Sequence, residues 1–463
     1  MMGKKSMICN ASYNCTIKKL KCGIVITFVV ALLGIMFMFS HIWSSGYWSS
    51  ESQGQHWVKK MNCSVSNCLH TVSTETFVGI QGCKTLYFNA FLEHRTSFPS
   101  VRVLAIVWRA EETPHYCVLY CEDMLFVVSA KKTVHSTHYY FPYGMADFLC
   151  TIPGDCKPKH ASLTTAGSDY VNSTFISVLN QEPRDSDFPV DITICISTMF
   201  NGYNNVLQFI QAMEIYRLLG AQKVVVYKSS CSPDMEEVLR YYQDNMGFVE
   251  VLPWLIGAHI NVSSHWLISE SPGDLHYNGQ IQALHDCMYR NMYSSKYVFL
   301  HDPDEIILPY LDKNWRDFLE RLRAKYGEVI YYFENNVFPV EEFDDSGRYY
   351  LKEWASLPGE SFLQHTLREP LPMFPPRTGK LIINPRTVFE VNVHLVERSS
   401  TSTVKVPPSL GRMYHIRRRK NTALKRNDLI VDEGLWKWAP QMIREVNKAL
   451  NRMNLSSQKH QMH

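Results

Sequence analysis

Two aspartates spaced two apart, Asp302 and Asp304, follow the apolar run Tyr297–Leu300. Residues two apart in an extended chain point the same way. Both carboxylates can therefore reach one hard divalent cation, which takes oxygen ligands and bridges phosphates. A cation held there would neutralise a departing nucleoside diphosphate. The apolar run reads as a strand of a parallel sheet, and ligands of open α/β sheets bind at the carboxyl edges of such strands. Asp185 and Asp187 have the same spacing but lie on the proline-flanked segment Gln181–Pro189, with no strand before them. That second pair reads as a solvated turn.

The elements that must position Asp302 and Asp304 form an alternating series. Ile192–Ser197 reads as a short strand. A helix capped by Asn204 or Asn205 runs to Leu219, with Val206, Phe209, Ile210, Met213 and Tyr216 at helical spacing, and Gly220 stops it. Lys223–Tyr227 reads as a strand, Ser232-Pro233-Asp234 opens a helix to about Asn245, and Phe248–Leu252 is a third strand. After an insertion over 253–276, Gln280–Met292 reads as a helix with Ile281, Leu284 and Met288 on one face. Such alternation predicts an α/β domain with parallel strands. Residues 76–185 differ. Their β-branched and aromatic runs, Thr85–Leu92, Val101–Trp108, Tyr116–Tyr120 and Met124–Ala130, predict a small β-rich domain.

The chain opens with Lys4, Lys5, Lys18, Lys19 and Lys21, before any acidic residue. The uncharged run Cys22–Phe39 follows, extended by Ile42 and Trp43, and no lysine occurs again until Lys59. Length and charge asymmetry predict an uncleaved signal anchor with the bulk of the chain across the membrane. The expected organisation is a cytosolic tail 1–21, an anchor 22–43, a stem 44–75, the β-rich domain 76–185, a catalytic domain 190–440 and a carboxyl-terminal tail 441–463. Without the five leading lysines the charge is 42 basic against 44 acidic residues, which disfavours a nucleic-acid partner. Of thirteen cysteines, ten lie beyond the apolar run, enough for several disulfides in an oxidising compartment. Their connectivity stays open, and buried free thiols remain an alternative for Cys195 and Cys287. Sequons fall at Asn62, Asn172, Asn261 and Asn454. No P-loop, GxSxG, HExxH or dinucleotide fingerprint is present.

From Ile194 to about Val431 the sequence resembles glycosyltransferase family 92. The segments that carry the resemblance are Cys195–Tyr227, EVLPW at Glu250–Trp254, His276–Pro309 with its HDPDEIILP end, RTGKLIINPRTVFEVNVHLV near His394, and MYHIRRR around His415. The resemblance implies an α/β chain with a GT-A-like nucleotide-sugar transferase domain, preceded by the small β-rich domain and a single transmembrane helix. It implies an inverting, Mn2+-dependent enzyme that moves galactose from UDP-galactose in β1,4 linkage to galactose or fucose of a glycoprotein or glycolipid glycan. With the anchor, it implies a Golgi-membrane, single-pass type II protein.

The resemblance also assigns roles. Asp302 and Asp304 bind the metal with the donor diphosphate, and Glu305 orders the loop. His394 and His415 stand where a further metal ligand is drawn. Phe200, Asn201, Asn204 and Tyr227 lie on the donor side. Lys228 and Ser229 depart from the Asp-Asn that members often carry after that tyrosine. Arg417–Lys420 is a basic run that could face the diphosphate or the solvent. An inverting transfer needs a carboxylate base for the acceptor hydroxyl, and Glu353, Glu360 and Glu369 are the candidates. Trp266, Trp354 and Phe362 offer a platform for the acceptor sugar, with core packing as the alternative for each. The competing reading is a catalytically inactive glycan-binding membrane protein with the same fold, and another is a β-domain receptor carrying the α/β part as a scaffold.

Overall fold

A computed structural model describes residues 59–62, 72–122, 124–154, 156–166, 170, 173–372 and 378–455. The first nine strands are Lys59–Asn62 (β1), Val78–Gly79 (β2), Leu86–Glu93 (β3), Ser100–Trp108 (β4), His115–Cys121 (β5), Met124–Val134 (β6), Tyr143–Thr151 (β7), His160–Thr165 (β8) and Ile176–Leu179 (β9). Seven of them close on themselves in the order β6-β5-β8-β9-β3-β4-β7, because β6 is long enough to pair twice. Its first half pairs with β5 and its second half, Ala130–Val134, pairs with β7. Disulfides Cys117–Cys150 and Cys121–Cys156 staple this barrel.

Strand β4 shows how the alternation of side chains serves two cores. Val101, Val103, Ala105 and Val107 point into the barrel. Leu104 and Ile106 point outward into a second cluster shared with the carboxyl-terminal part of the chain. Arg102, on the outward face, is buried with its charge matched by Glu93 at 2.9 Å and by Asp147.

The rest of the chain is built on a seven-stranded sheet. Its strands are Val190–Met199 (β10), Lys223–Lys228 (β11), Val249–Pro253 (β12), Ser295–His301 (β13), Ile330–Phe333 (β15), Lys380–Ile383 (β18) and Thr403–Lys405 (β21), in the order β12-β11-β10-β13-β18-β15-β21. The pairs β12–β11, β11–β10 and β10–β13 are parallel, and β18 runs antiparallel between β13 and β15. Short strands Glu305–Pro309 (β14), Asn335–Pro339 (β16) and Gly411–Arg417 (β22) make a separate sheet in the order β14-β22-β16.

One face of the large sheet carries helices Val206–Leu219 (α1), Pro233–Arg240 (α2), Trp315–Tyr326 (α4) and Ala439–Met453 (α5). On the other face Gln280–Arg290 (α3) lies between sheet and barrel. Helix α1 is buried almost all round, being covered by the sheet on one side and α5 on the other. Helix α5 is amphipathic: Ala439, Met442, Val446, Ala449, Leu450 and Met453 form one buried stripe. The segment expected as a tail from 441 is thus, to Met453, part of a core helix. The Cys195–Cys287 disulfide ties β10 to α3, where the sequence left free thiols open.

Two expectations are corrected. The α/β class with a GT-A-like domain gives way to a β-rich molecule, with a closed barrel and twenty-three strands against five α-helices among the described residues. Strand–helix alternation holds only from β10 to β13. Beyond His301, ten strands of two to seven residues are broken by loops and joined by one α-helix before α5, too short for a period of two to show. The Golgi-membrane, single-pass type II placement is corrected as well. Among the described residues no helix is long and apolar enough to cross a membrane. The run expected as the anchor, 22–43, lies outside the described residues, as do Asn172, Cys63 and Cys68.

Candidate active site

The acidic turn is built where β13 stops. Pro303 has no amide hydrogen to continue a ladder, and the chain turns back through Asp302-Pro303-Asp304 before β14 begins at Glu305. The Glu305 amide donates to the Asp302 carbonyl at 3.1 Å. In return the Glu305 carboxylate accepts from the Asp302 amide at 2.9 Å. The Tyr216 phenol, on α1, donates to the Glu305 carbonyl at 2.7 Å. Thus a helix packed under the sheet holds the turn from below.

The antiparallel register of β14 and β22 sets His415 opposite Glu305. The His415 Nε2 lies 3.3 Å from Asp304 Oδ2, and Nδ1 lies 3.3 Å from Glu305 Oε1. Asp304, Glu305 and His415 each offer a ligand atom within 4.8 Å of the others. Glu305 Oε1 and His415 Nδ1 are buried without an aligned hydrogen bond among the described residues. Two such atoms, 3.3 Å apart, are chemically suited to be metal ligands. Two carboxylate oxygens and an imidazole suit a hard or borderline divalent ion such as Mn2+.

A buried ammonium completes the centre. Lys380, the first residue of β18, sets its Nζ 2.7 Å from Asp302 Oδ2 and 3.4 Å from Glu305 Oε2. Burial pushes the Glu305 carboxyl up to about 7, with Lys380 and His415 opposing the rise and Asp302 and Asp304 adding to it. Burial also acts to lower His415, but the carboxylates of Asp304 and Glu305 outweigh it and hold the imidazole above its ordinary range. Asp304 is held below the carboxylate range: burial opposes this, and His415 overcomes it.

The other expected residues divide. Phe200 packs edge-on against Tyr277 at 5.2 Å, and the carboxylates of Asp302 and Asp304 act on that tyrosine. Asn201, at φ 54°, and Asn204 are exposed on the loop between β10 and α1. Arg417 is exposed and close enough to act on both Tyr277 and His415, whereas Arg419 is ion-paired with Glu342. His394 stands apart from the three-residue cluster. Its Nδ1 is 3.0 Å from the Gly379 carbonyl, and its ring is 5.6 Å from Trp266. Tyr227 is not brought to the acidic turn. It shares a face of β11 with Val225, points toward α3 and donates to Asp286 Oδ2 at 2.6 Å within the core.

The three carboxylate candidates are spread along 353–369. Glu353 is exposed on a 3-10 turn. Among the described residues Glu360 receives no side-chain donor closer than His365 at 3.7 Å, and its amide donates to Asn205 Oδ1 at 2.9 Å. That bond and the Leu207 amide, which donates to the Pro358 carbonyl at 2.9 Å, clasp the start of α1 to this stretch. Neighbouring Gly359 has φ +112°, and a Cβ there would lie 2.0 Å from Asn205 Oδ1. Glu369 Oε1 already accepts from the amides of Lys420 and Asn421, at 2.7 and 3.2 Å. Trp354 and Phe362 are core residues, and Trp266 alone of the expected platform is half-buried. Among the sequons, Asn261 and Asn454 are exposed and Asn62 lies on β1.

Sequence reasoning missed Lys380 and read Glu305 only as ordering the loop. A lysine directly before Leu381-Ile382-Ile383 was the available signal, since a lysine at the edge of a buried strand needs a paired charge.

Carboxylates, an imidazole and an ammonium thus converge at the carboxyl edge of the parallel strands. That arrangement is suited to holding a divalent cation and meeting a phosphate group. The chain belongs to glycosyltransferase family 92, whose sequence model matches residues 190–461. It is 25% identical over 241 residues to "Beta-1,4-galactosyltransferase galt-1" of Caenorhabditis elegans, covering 50% of each chain. It is 23% identical over 259 residues to "Glycosyltransferase family 92 protein F13G3.3" of the same organism, covering 55% of this chain and 46% of the other. The chain therefore spans about half the length of the curated relatives it matches.

Proposed function

We propose that the chain is an inverting glycosyltransferase that moves galactose from UDP-galactose, in β1,4 linkage, to galactose or fucose of a glycan. The observation that carries this reading is the convergence of Asp304, Glu305 and His415 in a chain of this family. These three would hold Mn2+, with Asp302 beside them. The bound cation supplies Lewis-acid neutralisation of the leaving diphosphate. Lys380 fixes the carboxylates of Asp302 and Glu305 in place before any ligand arrives. Phe200, Asn201 and Asn204 border the nucleotide, and Arg417 offers an exposed positive charge to it. A carboxylate takes the proton of the acceptor hydroxyl as its oxygen bonds to the anomeric carbon and UDP departs. Glu369 is committed to two backbone amides, so Glu360 is the first of the three candidates to replace.

The test is purified protein assayed against a panel of UDP-sugars with and without Mn2+. UDP-galactose turnover should require the metal. It should fall by about 100-fold or more in Asp304→Asn and His415→Ala while the fold persists, the loss expected when charge stabilisation of the transition state is removed. Robust transfer without metal, or full activity in Asp304→Asn, overturns the reading.

A further inference from the structure

The loop between β6 and β7 of the barrel reaches the site. Tyr139 lies with its ring centroid 4.8 Å from Trp266 and 4.2 Å from His276. Trp266 in turn lies against His394 and Tyr277, at 5.6 and 6.1 Å. His394 Nδ1–H donates to the carbonyl of Gly379, the residue before Lys380. An aromatic path therefore runs from the barrel to the acidic turn. Its outer end is open: Tyr140 is 87% exposed, and Leu267 and Ile268, directly after Trp266, are exposed as well.

The loop is held in a costly shape. Tyr139 and Tyr140 sit at φ 47° and 66°, a region that bulky residues rarely adopt and that costs on the order of 1 kcal/mol each. It is also pinned on several sides. Arg109 Nε donates to the Phe141 carbonyl at 2.7 Å, and the Tyr140 amide donates to His138 Nδ1 at 3.1 Å. The Thr137 hydroxyl donates to Glu397 at 3.1 Å, and the Tyr143 amide donates to the Asp274 carbonyl at 2.9 Å. Barrel packing needs no exposed tyrosine there. A rigid, strained loop that presents an aromatic ring to solvent beside a reactive centre is the form a binding surface takes.

We propose that this loop supplies part of the acceptor site: Tyr140, next to the Tyr139 that packs on Trp266, presents a ring on which a pyranose ring of the acceptor oligosaccharide lies by its apolar C–H face. Aromatic side chains give large, rigid contact area of low ordering cost, and tyrosine keeps a hydroxyl for hydrogen bonding. The inference rests on the glycosyltransferase reading. It adds that acceptor choice is set partly by residues 135–142, which lie outside the matched segment 190–461.

The experiment uses the full chain and two separate readouts. One is binding of a galactose-terminated biantennary oligosaccharide, without donor, by saturation-transfer NMR and calorimetry. The other is binding of UDP in the presence of Mn2+. Tyr140→Ala should weaken oligosaccharide binding and raise the acceptor KM about 10-fold, leaving UDP binding and thermal stability unchanged. Tyr140→Trp should restore binding. Unchanged oligosaccharide binding in Tyr140→Ala, an equal loss of UDP binding, or no oligosaccharide binding by the unaltered chain overturns the inference. Failure of the glycosyltransferase reading shows differently, as absent Mn2+-dependent UDP binding with the oligosaccharide effect intact.

Discussion

Lys380 carries more of the acidic turn than either aspartate. Its ammonium is the direct partner of Glu305, which is itself buried. Removing one partner of a buried pair leaves an uncompensated charge, at a cost of about 3 kcal/mol. Lys380→Met should therefore lower the urea midpoint as well as turnover, and Asp302→Asn should lower both with a smaller loss of stability, because Glu305 still faces the ammonium. Histidines give a second prediction. Burial holds His276 and His285 down to about 4, well under the usual imidazole range. In His285 both nitrogens are used in the neutral form, Nδ1 against the Ile281 carbonyl and Nε2 against the Val391 amide. A folded-state value below the unfolded one means that the unfolded chain takes up protons first as pH falls. The stabilisation is complete above about pH 6.5 and declines toward pH 4, by up to about 1.4 kcal/mol per pH unit for each group. Urea midpoints at pH 5 should be clearly lower than at pH 7. That a turn with Asp302 and Asp304 follows a strand was legible from the apolar run before it. Tyr227 was misplaced because its side of the strand depends on register, which the motif does not report.

Elements differ in how plainly their sequences announce them. Helix α1 was readable from its apolar spacing and from Gly220, which takes φ 102° at its end. Its start was less so: Asn205 makes no side-chain cap to the helix, and its side-chain Oδ1 accepts instead from the amide of Glu360, 155 residues on. Strand β14 was absorbed into a motif, since among the described residues Glu305–Pro309 pairs only with β22, more than a hundred residues later. Pairing of that range leaves no local mark. The Cys195–Cys287 bond was open for the same reason. It closes a span of 92 residues, for which chain entropy gives about 4.6 kcal/mol. The double variant Cys195→Ala/Cys287→Ala should lose stability of that order, read as a lower thermal midpoint, with β10 and α3 the first elements to lose amide-exchange protection.

For the whole molecule the decisive feature is the core that barrel and sheet share. Phe88, Phe91, Leu104, Ile106 and Met145 from the barrel meet Trp254, Ile281, Leu284 and Met288 from the other part. A chain cut to residues 190–463 would expose that apolar face, an area of the kind that drives association. Such a fragment should aggregate or be digested rapidly in limited proteolysis, whereas 57–463 should resist. The β-branched and aromatic runs over 76–185 marked strands, but nothing in the sequence showed that α3 faces the barrel, because helical periodicity marks a buried stripe without naming its cover. The same shared core sets what the family's segment requires in this chain. The matched segment excludes the barrel, yet its helix α3 meets the barrel directly: Asp286 Oδ1 accepts from Asn89 at 2.6 Å, and the Tyr289 ring lies 5.6 Å from Phe91. The segment that carries the family's signature is therefore completed by a neighbour that carries none of it.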